Sequence, residues 1–231
     1  NNKKNLITFI TAGDPNFEIS NKIIDTIAEN GADIIELGMP FSDPMADGPT
    51  IQMSSSRAIK QGIDLDNIFK LCKNFRKINN VTPLILMGYY NVILHYGVDK
   101  FVKECEENGI DGLIIVDLQP EEDQEMLSAI KSTHLDLIRL ITPTTNTERL
   151  LTILKNASGF LYYITITGIT GQHSANMKEL QNSINKIKQH SKLPIVAGFG
   201  IKDEFQAREI SNFCDGVVIG SSIVKIIEDN L

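Results

Sequence analysis

A chain of 231 residues with 42% hydrophobic and 22% charged side chains can bury a sizeable core, and its length fits a single α/β barrel. The formal charge of -7, with lysines and arginines scattered, excludes a basic field for nucleic acid or an anionic membrane.

Short apolar runs alternate with amphipathic segments along the whole length, the pattern of repeated βα units on a parallel sheet. Strands are predicted at 6–11, 33–38, 83–88, 112–117, 135–142, 160–165, 194–198 and 216–220. Eight such strands predict a closed (β/α)8 TIM barrel, one domain over residues 1–231. Three strand starts echo one another, Ala32-Asp33-Ile34-Ile35, Ile110-Asp111-Gly112-Leu113 and Cys214-Asp215-Gly216-Val217, as units built on one plan would. Between the strands, Asp14-Pro15-Asn16 precedes a helix at 17–30 that Gly31 closes. A double helical segment, 50–61 and 64–78 broken at Gly62, makes the second connection the elaborated one. Later helices are predicted at 99–108, 120–132, 147–157, 177–190 and 202–211. The last strand leads straight into a helix at 221–229, and a further helix beyond residue 231 is expected to cover that strand. With no Met at its start, the chain is also expected to continue upstream, so both ends read as short.

Cys72, Cys105 and Cys214 are isolated, which argues for a reducing compartment and against a disulfide frame or zinc site. No apolar run approaches a transmembrane length and residues 1–4 lack a signal-peptide pattern, so the expected location is the cytoplasm.

The stretch 32–49 stands out. An apolar strand carries Glu36 and runs into a long loop that carries Asp43 and Asp47. Side chains alternate along a strand, so Ile34, Glu36 and Gly38 share one face and Ile35 and Leu37 the other. In a parallel sheet buried on both faces, Glu36 points into an apolar interior. Burial raises the pKa of a carboxyl, which then gives and takes a proton near neutral pH. The competing reading is a structural ion pair with a Lys or Arg of a neighbouring loop, and position alone weighs the two equally. In a loop with two prolines and a glycine, Asp43 reads first as a turn-former and Asp47 less so.

Thr167-Gly168-Ile169-Thr170-Gly171, Gly198-Phe199-Gly200-Ile201 and Gly220-Ser221-Ser222 follow the last three predicted strands. Glycine admits a ligand close to the backbone, and N–H groups at a helix start point at an anion. Three such turns in consecutive places predict a phosphorylated ligand. The sixth strand carries no lysine, so a Schiff-base route is unsupported. His95, His134, His173 and His190 are dispersed, so a metal-assisted route is unsupported too. Cofactor-free proton transfer remains. Tyr162 shares the face of Ile164 and can reach the mouth, although an aromatic there is more often packing.

Residues 36–52, from Glu36-Leu37-Gly38-Met39-Pro40-Phe41-Ser42-Asp43-Pro44 to Gln52, closely resemble the signature of the tryptophan synthase α-chain family. So do Thr11-Ala12-Gly13-Asp14-Pro15 and the three glycine turns, in the family's order along nearly the whole chain. The resemblance implies cleavage of indole-3-glycerol phosphate to indole and glyceraldehyde 3-phosphate, a retro-aldol reaction without cofactor. It implies that Glu36 protonates the indole ring carbon and removes the substrate hydroxyl proton. Asp47 would accept from the indole N–H, and Tyr162 would lie near Glu36. Phe9, Met87 and Tyr89 match positions lining the indole pocket, and Thr170, Gly171, Gly200, Gly220 and Ser221 match the phosphate site. The family works as an αββα complex with a β chain that carries pyridoxal phosphate, and the loops 40–49 and 166–176 would dock and close. A stand-alone lyase of the same lineage, an FMN-binding barrel and a silent activator of a β chain remain as alternatives.

Overall fold

The eight apolar runs become strands because β-branched and aliphatic residues pack well on a pleated surface and Gly, Pro and Asp bound them. They are β1 (Asn5–Thr11), β2 (Ile34–Gly38), β3 (Leu84–Gly88), β4 (Gly112–Ile115), β5 (Asp136–Ile141), β6 (Leu161–Ile164), β7 (Ile195–Gly198) and β8 (Gly216–Ile219). Each pairs in parallel with the next, and β8 pairs back onto β1, so the sheet closes into a (β/α)8 barrel. This computed structural model describes residues 4–164, 173–198, 200–201 and 203–231, with backbone alone for 173–176.

One face of each strand fills the barrel with side chains such as Ile7, Ile85, Ile114, Ile138 and Val196. The other face, with Ile35, Leu37, Leu84 and Leu86, packs under the surrounding helices. That double burial is why the strands read as nearly continuous apolar runs. The echoed aspartates at the strand starts have one job. Asp33 Oδ2 accepts from Leu6 N at 2.9 Å, Asp111 Oδ2 from Leu84 N at 2.7 Å and Asp215 Oδ2 from Ile195 N at 2.9 Å. Each carboxylate thus ties its own strand to the start of the one before. Asp111 also accepts from Arg76 Nη2 at 2.6 Å, so Asp111→Ala leaves the buried Leu84 N–H and that Nη2 without their acceptor. Its expected cost is about 1–3 kcal/mol, read as a lowered urea midpoint; an unchanged midpoint would refute the tie.

The helices are α1 (Phe17–Glu29), α2 (Pro49–Lys60), α3 (Leu65–Arg76), α4 (Tyr90–Tyr96), α5 (Val98–Glu107), α6 (Gln124–Ile130), α7 (Thr147–Leu154), α8 (His173–Lys188), α9 (Glu204–Ser211) and α10 (Ser221–Asp229). Side-chain caps set several starts: Asn16 accepts from Ile19 N, Asp64 and Asn67 form a capping box, and Asp203 accepts from Gln206 N.

Three elements differ most from the sequence expectation. The α4 helix was not predicted; Gly97, at φ 95°, ends it and starts α5. The helix expected from residue 120 begins only at Gln124; Asp123, at its N-cap position, turns its carboxylate inward onto Arg139 of β5 and makes no side-chain cap bond. The α8 helix starts four residues before the expected 177. At the end of the chain, α9 lies against β8, while α10 packs on β1 and α2. Among the described residues no helix is long and apolar enough to cross a membrane.

Candidate active site

Alternation along β2 turns Glu36 into the barrel, where its accessible surface is 0%. In register it lies between Phe9 of β1 and Ile85 of β3. Neither carboxyl oxygen has a hydrogen-bond partner among the described residues. The structural ion pair weighed from the sequence therefore finds no partner among them. Burial with nothing to offset it pushes the Glu36 carboxyl up to about 8. At neutral pH the group is held as the neutral acid.

A cavity of about 310 Å³ opens at the C-terminal ends of the strands. Its walls come from Phe9 and Met87 on strands, Tyr162 of β6, Asp47, the first turn of α2, and Gly200, Gly220 and Ser221. Glu36 lies behind this lining, beside Phe9 in register and near enough to Tyr162 for its charge to add to the burial that raises the phenol pKa. Phe9, Ile51, Met87, Ile201 and Val218 give the cavity apolar lining. Gly220 and Ser221 line it too, and α10 starts there with no side-chain cap, so the N–H groups of its first turn are open to an anion.

Glycine makes two close approaches possible here. A Cβ on Gly198 would stand 2.4 Å from Tyr162 Oη, and one on Gly38 would stand 2.5 Å from the Phe9 ring. Both aromatics hold their places because those positions carry no side chain.

A family model for the tryptophan synthase alpha chain matches residues 1–231. A tryptophan synthase alpha chain of Geotalea uraniireducens (strain Rf4) is 47% identical over 228 residues, covering 99% of this chain and 85% of the relative. This chain belongs to the tryptophan synthase α-chain family. The barrel also superposes on tryptophan synthase subunit alpha of Legionella pneumophila str. Paris with a TM-score of 0.91 at 41% identity, covering 99% of this chain and 85% of that one. Against tryptophan synthase from M. tuberculosis the TM-score is 0.89 at 31% identity, with coverage of 99% and 87%. Tryptophan synthase α chains are lyases of tryptophan biosynthesis that cleave indole-3-glycerol phosphate to indole and glyceraldehyde 3-phosphate, and that is the activity of this chain.

In this α chain the cavity gathers Phe9, Asp47, Met87, Tyr162, Gly200, Gly220 and Ser221 of the residues singled out from the sequence. Thr170, Gly171 and the loop that contains them lie outside the described residues. Tyr89 is not part of the lining. It is buried, and its hydroxyl accepts from Ala46 N at 3.0 Å and bonds to the Asp47 carboxylate, while its ring packs on Phe41 at 5.2 Å. Tyr89 thus anchors the loop that holds Asp47. Burial raises Asp47 to about 6, and the bond from Tyr89 opposes part of that rise.

Two features had no clear sequence signal. The wall formed by Gly48, Pro49, Thr50 and Ile51 follows from the direction in which α2 leaves the loop, and Tyr89 meets Asp47 across 42 residues of chain. Among the described residues no group of three or more His, Cys, Asp or Glu side chains could hold a metal ion.

Proposed function

We propose that the α chain divides the cleavage between Glu36 and Asp47. The neutral Glu36 carboxyl donates its proton to the indole ring carbon that bears the glycerol phosphate chain. Positive charge then develops on the ring nitrogen, and the Asp47 carboxylate accepts from that N–H and stabilises it. The Glu36 carboxylate next takes the proton of the hydroxyl on the adjoining side-chain carbon. As the C–C bond breaks, its electron pair returns to the ring, the hydroxyl carbon becomes the aldehyde, and Glu36 regains its proton. The observation that carries this reading is a wholly buried carboxyl with no partner among the described residues, set just behind a cavity whose rim holds a second carboxylate. Different surroundings separate the two pKa values and so the two roles.

Phe9 and Met87 pack the indole ring, and Tyr162 orients the Glu36 end. The open start of α10 with Gly200, Gly220 and Ser221 takes the phosphate. Thr170 and Gly171 complete that site by the family resemblance. The chemistry uses no group beyond these side chains.

The partner is a tryptophan synthase β chain, in an αββα complex whose pyridoxal phosphate belongs to the β chain, in the cytoplasm. Met45 is 81% exposed on the loop after β2 and Met53 is 54% exposed on α2. Together they offer apolar surface beside the cavity rim of the kind a partner covers.

The test is indole release from indole-3-glycerol phosphate by the purified chain, alone and with a β chain. Slow release that rises strongly with the partner is the expected result. Fast release without it would replace the proposed partnership with a stand-alone lyase, and none under either condition would overturn the assigned roles.

A further inference from the structure

The starts of two helices line the cavity. The first turn of α2, just after Asp47, contributes Pro49, Thr50 and Ile51, and the start of α10 contributes Ser221 with Gly220 before it. The two helices also pack on one another. There Arg57 of α2 makes a three-way tie. Its Nε and Nη2 donate to the two oxygens of Asp14 at 2.7 and 2.8 Å, and its Nη1 donates to Glu228 of α10 at 2.9 Å. Asp14, in the loop after β1, is 2% exposed. A planar guanidinium with one edge fixed on a buried carboxylate has little freedom left, so the third bond locates α10 relative to α2.

The lengths of the two arms match. Arg57 stands eight residues after Pro49 and Glu228 seven after Ser221, so each tie point is roughly 10–12 Å along its helix from the cavity. Freeing the tie lets the helices tilt, and about 5° over such an arm moves their starts apart by about 1 Å. A displacement of that size at a reacting group can cost on the order of 100-fold in rate.

We propose that Arg57 is a positioning residue for the cleavage: by gripping Asp14 and Glu228 together it sets the span between the α10 start that receives phosphate and the α2 start that follows Asp47. The proposal rests on the roles given above to Asp47, Gly220 and Ser221. Arg57 touches no substrate; it acts through the two helices. Ground-state binding is dominated by the phosphate and the apolar walls, whereas the charge that Asp47 answers develops only in the transition state, so a loosened span lowers kcat more than it raises KM.

Glu228→Ala tests this without stripping the buried Asp14 of its partner, and the Glu228 side chain is 27% exposed, so the truncation is tolerated. In the complex with a β chain, below the melting midpoint of each variant, kcat is expected to fall about tenfold. KM for indole-3-glycerol phosphate and the affinity for glycerol 3-phosphate, which fills only the phosphate end, should stay within about twofold of wild type. Glu228→Gln, whose amide oxygen can accept from Arg57, should recover most of the rate. Lys225→Ala, which removes the other partner of Glu228 at 2.8 Å, should be silent. A Glu228→Ala variant with wild-type kcat would overturn the proposal, as would glycerol 3-phosphate affinity falling in step with kcat, a Gln variant no better than Ala, or a Lys225→Ala variant as slow as Glu228→Ala. Absence of turnover by the wild-type complex would instead remove the underlying assignment of the site, and this inference with it.

Discussion

Glu36→Gln is expected to lower kcat for indole-3-glycerol phosphate cleavage by roughly 10²- to 10⁴-fold while leaving KM nearly unchanged, because the amide keeps the shape and loses the transferable proton. The same substitution has an opposite effect on stability. Folding raises the Glu36 pKa from 4.5 to about 8. Between those values the unfolded chain releases a proton that the folded chain keeps. Stability contributed by the site therefore falls by roughly 1.4 kcal/mol for each unit of rising pH in that window, and levels off above about 8. Gln has no proton to release. Relative to wild type, the variant should gain stability steadily from pH 5 to pH 8, reaching about 3 kcal/mol at pH 7. Urea midpoints across that range measure it. A variant that keeps turnover would end the assigned role, and wild type and variant with parallel pH dependence would show that Glu36 is not buried as a neutral acid.

Asp47→Asn carries the second large effect. An amide accepts from the indole N–H but cannot answer the positive charge on the ring, so kcat should drop on the order of 100-fold. The pH profile of kcat/KM gives the sharper test. Asp47 must be ionised and Glu36 protonated in the free enzyme, so the wild-type profile is expected to be bell-shaped, falling below about 6 and above about 8. The second ionisation of the substrate phosphate also lies at about 6. The Asn variant separates the two: an acid limb that disappears belongs to Asp47. One that persists unchanged belongs to the substrate and removes Asp47 as the titrating group. The alkaline limb should survive in the Asn variant, since Glu36 remains.

Both predictions depend on a carboxyl whose place was visible before its environment was. Period-two alternation in 33–38 is a local property, so it put Glu36 on the face opposite Ile35 and Leu37, and β2 bears that out. The glycines beyond the last strands were legible for the same reason. A turn or a close approach demands glycine locally, and Gly200 and Gly220 do meet at the cavity. What alternation cannot say is whether a buried Glu meets a cation. Ion pair and lone acid were evenly weighed until β1 and β3 were placed on either side, with Phe9 and Ile85 in register and no hydrogen-bond partner for the carboxyl among the described residues.

Other parts were hidden because they depend on contacts between distant residues. Tyr89 matches a pocket-lining position by resemblance, yet its hydroxyl serves Ala46 and Asp47. At the N-cap of α6, Asp123 reaches Arg139 sixteen residues ahead, a bond that takes its carboxylate from the first-turn N–H groups that Asp locally prefers to cap.

By itself, then, the sequence determined the alternating βα plan, the closed barrel that eight strands of this pattern make, the inward face of β2 and the glycine turns that admit an anion, since each is set by side-chain periodicity or local backbone freedom. Only the tertiary structure decided which acid is neutral, what anchors the Asp47 loop, and how Arg57 joins α2 to α10. Those depend on which atoms from remote segments come within a few ångströms of one another, and on how much water is left between them.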